Sequence, residues 1–155
     1  KRKRPDWKLS GADVSPEALA VARKNADALN AAVEWQLMNA LHPTDWEALP
    51  RYDIIVSNPP YIPPSEAQLM PEHVLQHEPR LALFTDTEDA LVFYRTIAKR
   101  SLQQLLPGGR LYFELNEFNA SRVMQMVERM GFQQTELRRD LNGKYRMLRA
   151  VSGSA

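Results

Sequence analysis

The stretch Asp53-Ile-Ile-Val-Ser-Asn-Pro-Pro-Tyr61 decides how the rest of the chain is interpreted. Its three consecutive branched apolar residues, Ile54 to Val56, predict a strand buried on both faces, as in the middle of a parallel sheet. The strand must end before Pro59, which has no N–H to donate to a neighbouring strand. The following residues then lie just past the carboxyl end of the strand, where open α/β sheets bind their ligands. The stretch therefore predicts an α/β sheet and a site at its edge.

The groups in this corner are suited to one kind of ligand. The side-chain carbonyl of Asn58 and the backbone carbonyl of Pro59 are two acceptors close together. Pro59 and Pro60 fix the backbone, so the acceptors are aimed in advance, and Tyr61 adds a flat ring. Two acceptors and a ring match a planar –NH2 group, either a carboxamide or the amine of a base. The alternative interpretation is a rigid turn after a strand.

Strands and helices alternate along the chain, which predicts a mostly parallel sheet that ends in an antiparallel strand. Ser15 is expected to cap the first helix, and Gly131 to follow the last one in the left-handed conformation. The predicted strands are 8–13, 33–38, 52–57, 110–115, 132–138 and 144–151. The predicted helices run to about Asn30, from Thr87 to Pro107-Gly-Gly109, and from Asn119 to Met130. Residues 39–50 are expected to form a connection, and 59–86 a long loop with one helical turn, of the kind that is usually functional.

Eight segments carry a resemblance to a known family. They are Asp13-Val-Ser-Pro-Glu-Ala-Leu19, Ala22-Arg-Lys-Asn25, Ser57-Asn-Pro-Pro-Tyr-Ile62, Glu78-Pro-Arg-Leu-Ala-Leu83, Leu106-Pro-Gly-Gly109, Phe113-Glu-Leu115, Gly131-Phe132 and Asp140-Leu-Asn-Gly-Lys-Tyr-Arg146. The chain resembles the HemK/PrmC family of protein-(glutamine-N5) methyltransferases, which modify peptide chain release factors. Asn-Pro-Pro-Tyr is shared with DNA and RNA methylases, whereas the segments from Glu78 and Asp140 are more specific to the HemK type. The resemblance implies a Rossmann-like, class I S-adenosylmethionine-dependent methyltransferase sheet.

The resemblance also implies how the cofactor and the substrate are held. Asp13, at the end of the first predicted strand, would accept the ribose hydroxyls of S-adenosylmethionine, as an acidic residue does in dinucleotide folds. Asn39 and Ala40 would lie at its adenine, although related enzymes usually have an aspartate where Asn39 stands. A glutamine carboxamide of the release factor would contact Asn58, Pro59, Pro60 and Tyr61, with Asn58 also among the residues that bind the cofactor. The amide nitrogen would attack the methyl group in line.

One part of the family pattern has no counterpart in the sequence. The glycine-rich loop that wraps the methionine part of the cofactor is missing, because no G-x-G pattern occurs. The strand before that loop and the helical substrate domain are expected to be absent as well. Residues 1–155, which begin without methionine, are therefore interpreted as a single truncated catalytic domain. A sheet without its central strand has unpaired edges, so we expect weak cofactor binding or none.

Composition limits the other classes of function. Net charge is +1, which argues against direct nucleic-acid binding, and cysteine is absent, as in many cytoplasmic proteins. No apolar run approaches the roughly 18 residues of a membrane span. His73 and His77 lack a third ligand, so no metal site is predicted.

Several alternatives remain open from the sequence. Glu78, Arg80 and Glu114 are either site residues or members of local ion pairs and helix ends. The protein itself is alternatively a base amino-methylase, a ribosomal-protein glutamine methylase, or an inactive fragment of such an enzyme.

Overall fold

The computed structural model describes residues 1, 3–69, 75 and 79–153, and the chain divides into two compact units, Lys1–Ala48 and Leu49–Ala155. The positions of His73, His77 and Glu78 lie outside the described residues. Each unit is an α/β structure built around its own sheet.

The first unit consists of two parallel strands and two helices. Strand β1, Ser10–Asp13, pairs in parallel with β2, Glu34–Leu37, and helix α1, Pro16–Ala28, connects them. The Ser15 side chain accepts a hydrogen bond from the backbone N–H of Ala18 and Pro16 opens the helix, which confirms the predicted cap.

A short helix in the first unit was not expected from the sequence. Helix α2, Pro43–Glu47, interrupts the predicted connection 39–50. Pro43 lies in the first turn, where backbone N–H groups have no hydrogen-bond acceptor within the helix. Its lack of an N–H therefore costs nothing there, and proline begins this helix instead of excluding one. Trp46 anchors this helix, because its side chain is buried and its indole N–H donates to the Ala40 carbonyl.

The second unit contains a four-stranded mixed sheet in the order β3-β4-β6-β5. Its strands are β3 (Tyr52–Ser57), β4 (Leu105–Glu114), β5 (Gln133–Arg139) and β6 (Tyr145–Val151). Strands β3 and β4 are parallel, whereas β6 is antiparallel to both β4 and β5. The α/β class, the parallel pair and the antiparallel final strand agree with the fold predicted from the sequence.

Strand β3 differs from the prediction in its burial. We expected Ile54, Ile55 and Val56 to be buried on both faces, but 72% of Val56 is exposed. Among the described residues, β3 pairs with β4 alone and therefore forms an edge of this sheet. Ile54 and Ile55 are half-buried, so none of the three apolar residues is fully buried.

The core of the second unit lies on one face of the sheet, under two helices. Helix α4, Val92–Gln104, and helix α5, Ala120–Arg129, pack there, and a single turn, α3, covers Arg80–Leu83. The fully buried side chains of these helices and strands include Tyr94, Ala98, Val123, Val127, Leu111, Leu148 and Ala150. The rings of Tyr94 and Phe113 meet edge to face at 5.2 Å.

Both ends of helix α4 were predicted wrongly. It begins at Val92 instead of Thr87, because the Asp89 side chain accepts from the backbone N–H of Leu91 and holds a turn before the helix. It ends at Gln104, and β4 starts at the next residue. The Pro107-Gly-Gly109 segment therefore lies in an irregular part of β4, with Gly108 at φ 73°, and is not the helix stop.

The predicted long loop 59–86 contains more regular structure than expected. A 3-10 helix covers Pro64–Leu69, and Ile62 forms a parallel bridge with Phe84. The later predictions are confirmed: Gly131 has φ 104°, and the Asp140-Leu-Asn-Gly143 segment turns β5 into β6.

Candidate functional site

The Asn58–Tyr61 corner follows β3 directly, as its sequence predicts. Asn58 is exposed, Pro59 is buried, and Pro60 and Tyr61 are half-buried. The Asn58 side chain makes no hydrogen bond to any other described residue. Its carboxamide is therefore available to a ligand, while the proline beside it is packed into the protein.

The chain after this corner is fixed to a second segment. The backbone N–H of Ile62 donates to the Leu83 carbonyl at 3.1 Å, and the N–H of Thr85 donates to the Ile62 carbonyl at 2.9 Å. The buried hydroxyl of Thr85 also donates to the Ile62 carbonyl. Asn58 and Tyr61 are thus held between β3 on one side and this bridge on the other, so little ordering remains to be done when a ligand binds.

A pocket of about 410 Å³ opens beside Asn58, on the face of the sheet opposite helices α4 and α5. Side chains from all four strands line it, including Val56, Tyr112, Glu114, Met147 and Arg149. Glu114 was one of the undecided positions in the sequence, and the structure places it in the same pocket as Asn58. The register explains this placement, because Ser57 pairs with Phe113 and the two strands end side by side.

The basic residues in this pocket were not predicted from the sequence. Arg138 and Arg149 both line it, and Glu136 binds both, at 2.7 Å and 3.2 Å. The hydrogen bond from Arg138, helped by the charge of Arg149, lowers the pKa of Glu136. Successive side chains of a strand point to opposite faces of the sheet. Applied to β5 and β6, this alternation could have predicted that Arg138, Glu136 and Arg149 share one face.

Tyr94, a residue of helix α4, supports the site from the opposite side of the sheet. Its phenol is completely buried and donates to the Glu114 carbonyl at 3.1 Å. Burial raises the pKa of Tyr94, and the neighbouring Tyr61 and Glu114 raise it further. A hydrogen bond with the backbone of Asn116 opposes this and lowers the pKa in part. That the Tyr94 hydroxyl fixes the end of β4 was not predicted from the sequence.

The residues predicted for a cofactor lie together at the edge of the first unit. Asp13 is the last residue of β1 and Asn39 lies two residues after the end of β2, and the Met38 N–H donates to the Asp13 carbonyl at 2.9 Å. Asp13 is exposed, and its Oδ1 accepts from the Ser15 N–H at 2.8 Å. The Oδ1 of Asn39 accepts from the Leu41 N–H at 2.9 Å, and the Ala40 carbonyl accepts from Trp46.

Arg80, which the sequence left undecided, makes a contact close to it in the chain. The Arg80 guanidinium lies 4.9 Å from the centre of the Phe84 ring, which is a local structural contact. The described residues contain no group of three His, Cys, Asp or Glu side chains that could hold a metal ion. None of the described helices is long and apolar enough to cross a membrane.

Comparison with known proteins identifies the family. The model of the family called methyltransferase small domain matches residues 1–103. The chain belongs to the methyltransferase small domain family. Membership implies methyl-transfer chemistry, for which S-adenosylmethionine is the usual donor.

Curated relatives of this methyltransferase domain carry a more specific name. The chain is 42% identical over 146 residues to the release factor glutamine methyltransferase of Bacteroides thetaiotaomicron, covering 94% of the chain and 52% of the relative. It is 37% identical over 145 residues to that of Flavobacterium psychrophilum, with 94% and 50% covered. The resemblance predicted from the sequence motifs is thereby confirmed. The chain spans about half the length of these relatives.

A solved structure supports the fold of the methyltransferase domain. A methyltransferase from Pyrococcus furiosus matches with a TM-score of 0.65 and 16% identity, covering 98% of this chain and 68% of that one. At that identity the match shows the class I methyltransferase fold alone.

Proposed function

We propose that this protein takes part in methylating the side-chain amide nitrogen of a glutamine in a peptide chain release factor, with S-adenosylmethionine as the donor. The observation that carries the proposal is the Asn58 carboxamide, which is exposed, lies at the carboxyl end of β3 and makes no hydrogen bond to another described residue. The names of the curated relatives support the substrate class.

The corner residues bind and aim the reacting amide. The Asn58 side-chain oxygen and the Pro59 carbonyl would accept the two N–H hydrogens of the substrate carboxamide, whose plane would rest on Tyr61. An amide nitrogen is a poor nucleophile because its lone pair is delocalised into the carbonyl. Hydrogen bonds to both of its N–H groups would return electron density to nitrogen and direct the lone pair toward the methyl carbon. As the N–C bond forms, the bond from that carbon to sulfur would break, and its electron pair would stay on sulfur as a neutral thioether.

This arrangement requires no strong base before attack. The amide proton becomes acidic only after the nitrogen has gained a methyl group, so it can leave to solvent. Positioning and the exclusion of water then account for most of the catalysis.

The chemistry of the first unit fits the donor. S-adenosylmethionine supplies a methyl group on a positively charged sulfur. Asp13 would accept its ribose hydroxyls, because Oδ2 has no hydrogen-bond partner among the described residues. Asn39 and Ala40 would lie at the adenine. Each of their oxygens already accepts one hydrogen bond and retains one further lone pair for the base amine.

The proposal is tested with Asn58→Ala in the protein as encoded in its genome, including any sequence that flanks these 155 residues. Loss of the acceptor should lower transfer from labelled S-adenosylmethionine to a release factor by about 100-fold or more, since one oriented contact to the reacting group is removed. Cofactor affinity should change by less than about threefold. Gln125→Ala is the matched control, because it removes a carboxamide from an exposed position on α5. Near-normal turnover of Asn58→Ala would contradict the proposed role.

The substrate class is tested by comparing acceptors for the same labelled methyl group. We expect transfer to a release factor, and little to a ribosomal protein or to DNA. Preferential labelling of either alternative acceptor would replace the release factor as the proposed substrate.

A further inference from the structure

Two large apolar side chains project from the second unit with no packing of their own. Leu141, at the tip of the β5–β6 hairpin, is fully exposed (106%), and Phe118, just after β4, is 85% exposed. A single exposed apolar residue is ordinary on a protein surface. These two lie on loops that ion pairs join, and the pair is here called the Phe118–Leu141 patch, an apolar surface of the kind that suits a partner.

The patch lies on the same edge of the sheet as Asn58. Strands β3 and β4 run in parallel and end at Ser57 and Glu114, so Phe118 continues past that edge. Strand β6 is antiparallel to β4 with Met147 opposite Glu114, which places the residues before Tyr145 past the same edge. Strand β4 lies between β3 and β6, so β3 and β6 are two strand spacings apart, or about 10 Å.

Each loop is rigid by its own hydrogen bonds. The Asn116 side chain accepts from the Phe118 N–H at 3.0 Å and caps the 3-10 helix Glu117–Asn119. At the hairpin tip, the Asp140 side chain accepts from the N–H groups of Asn142 and Lys144, both at 2.9 Å. Both apolar side chains are therefore presented on backbone that needs no reordering when a partner binds.

Ion pairs hold the two loops together. Lys144 Nζ lies 2.7 Å from Glu117 Oε1, and Arg146 reaches the same oxygen at 3.6 Å. Arg146 also contacts Asp140 at 3.4 Å and donates to the Leu115 carbonyl. These two acids and two bases balance one another, so the ion pairs that join the loops add no net charge beside the patch.

We propose that the Phe118–Leu141 patch docks the polypeptide that carries the substrate glutamine, outside the catalytic corner. This rests on the proposed function. A ligand no larger than the glutamine side chain would not reach a patch about 10 Å from β3, whereas a protein substrate extends past it. Nucleic-acid binding requires available positive charge, whereas the two bases that join these loops, Lys144 and Arg146, are each paired with an acid.

The test uses Phe118→Ala and Leu141→Ala in the protein as encoded in its genome. Val21→Ala is the matched control, because Val21 is 60% exposed on α1. With the intact release factor as substrate, each patch variant should raise KM about 10-fold and leave kcat within twofold. With a short glutamine peptide as substrate, and for S-adenosylmethionine, KM should not change. Thermal unfolding of all three variants should match that of the parent protein.

Other outcomes would overturn the proposal in distinguishable ways. If the parent protein methylates the release factor and the patch variants keep its KM, docking at the patch is wrong while the proposed function stands. If KM rises equally for the peptide and the protein, the residues act on the catalytic corner instead. If sedimentation shows a dimer that Leu141→Ala dissociates, the partner is a second copy. If the parent protein does not methylate the release factor, both proposals fail.

Discussion

At the scale of single residues, the contrast between Asn58 and Tyr94 separates a binding role from a supporting one. Asn58 is exposed with an uncommitted side chain, whereas Tyr94 is completely buried and its hydroxyl is bonded to the end of β4. The sequence predicted Asn58 because its neighbours are distinctive. It could not predict the Tyr94 contact, which depends on how a helix packs on a strand that follows it in the chain.

Tyr94→Phe should destabilise the protein by about 1 kcal/mol, because the Glu114 carbonyl loses a donor in a partly buried place. In a chain of this size that lowers Tm by about 2–4 °C. Tyr145→Phe is the control, since its ring is partly exposed and packs against Arg139. Calorimetric unfolding measures both variants, and equal Tm values would show that the Tyr94 hydroxyl contributes nothing.

At the scale of elements, patterns within one segment were predicted well and boundaries set by other segments were not. The cap at Ser15, the hairpin turn and Gly131 follow from local chemistry, and all are confirmed. Helix α4 was misplaced because its first turn depends on Asp89, which also binds Arg95 at 2.6 Å. The exposure of Val56 could not be read from its own segment, because it depends on which strands pair with β3.

The β5–β6 hairpin should loosen in acid. Hydrogen bonds from Lys144 and Asn142, with help from Arg146, lower the pKa of Asp140 below its usual 3.8. Because the folded pKa is the lower one, the stabilisation is complete above about pH 4 and is lost as the pH falls through the folded value. Hydrogen exchange at Asn142 and Lys144, corrected for intrinsic rates, should therefore show less protection at pH 2.5 than at pH 5.

Asp140→Asn provides the comparison for this pH effect. Its side-chain oxygen can still accept from both backbone groups, but it carries no charge. We expect weaker protection than in the parent protein, with little change between the two pH values. Equal protection of the parent hairpin at both pH values would show that the carboxylate charge does not matter there.

At the scale of the whole molecule, the sheets have open edges. Among the described residues, β1 pairs with β2 alone and β3 with β4 alone. The sequence anticipated this from the missing glycine-rich loop and its strand. It could not show that the chain would form two compact units, because that depends on contacts between distant segments.

The 155-residue polypeptide by itself should bind S-adenosylmethionine weakly or not at all. Asp13 and Asn39 offer acceptors for the ribose and adenine, but no G-x-G loop is present for the methionine part. Titration calorimetry of the isolated chain should give little or no heat of binding. A dissociation constant in the micromolar range would contradict this prediction.

The pairing of Glu117 and Asp140 with Lys144 and Arg146 has a consequence for how a partner would associate. Long-range attraction between proteins weakens as added salt shortens the Debye length, which is about 10 Å at 0.1 M. A surface whose charges cancel offers little such attraction to screen. The Phe118–Leu141 patch should therefore hold its partner almost equally well in dilute buffer and at high ionic strength.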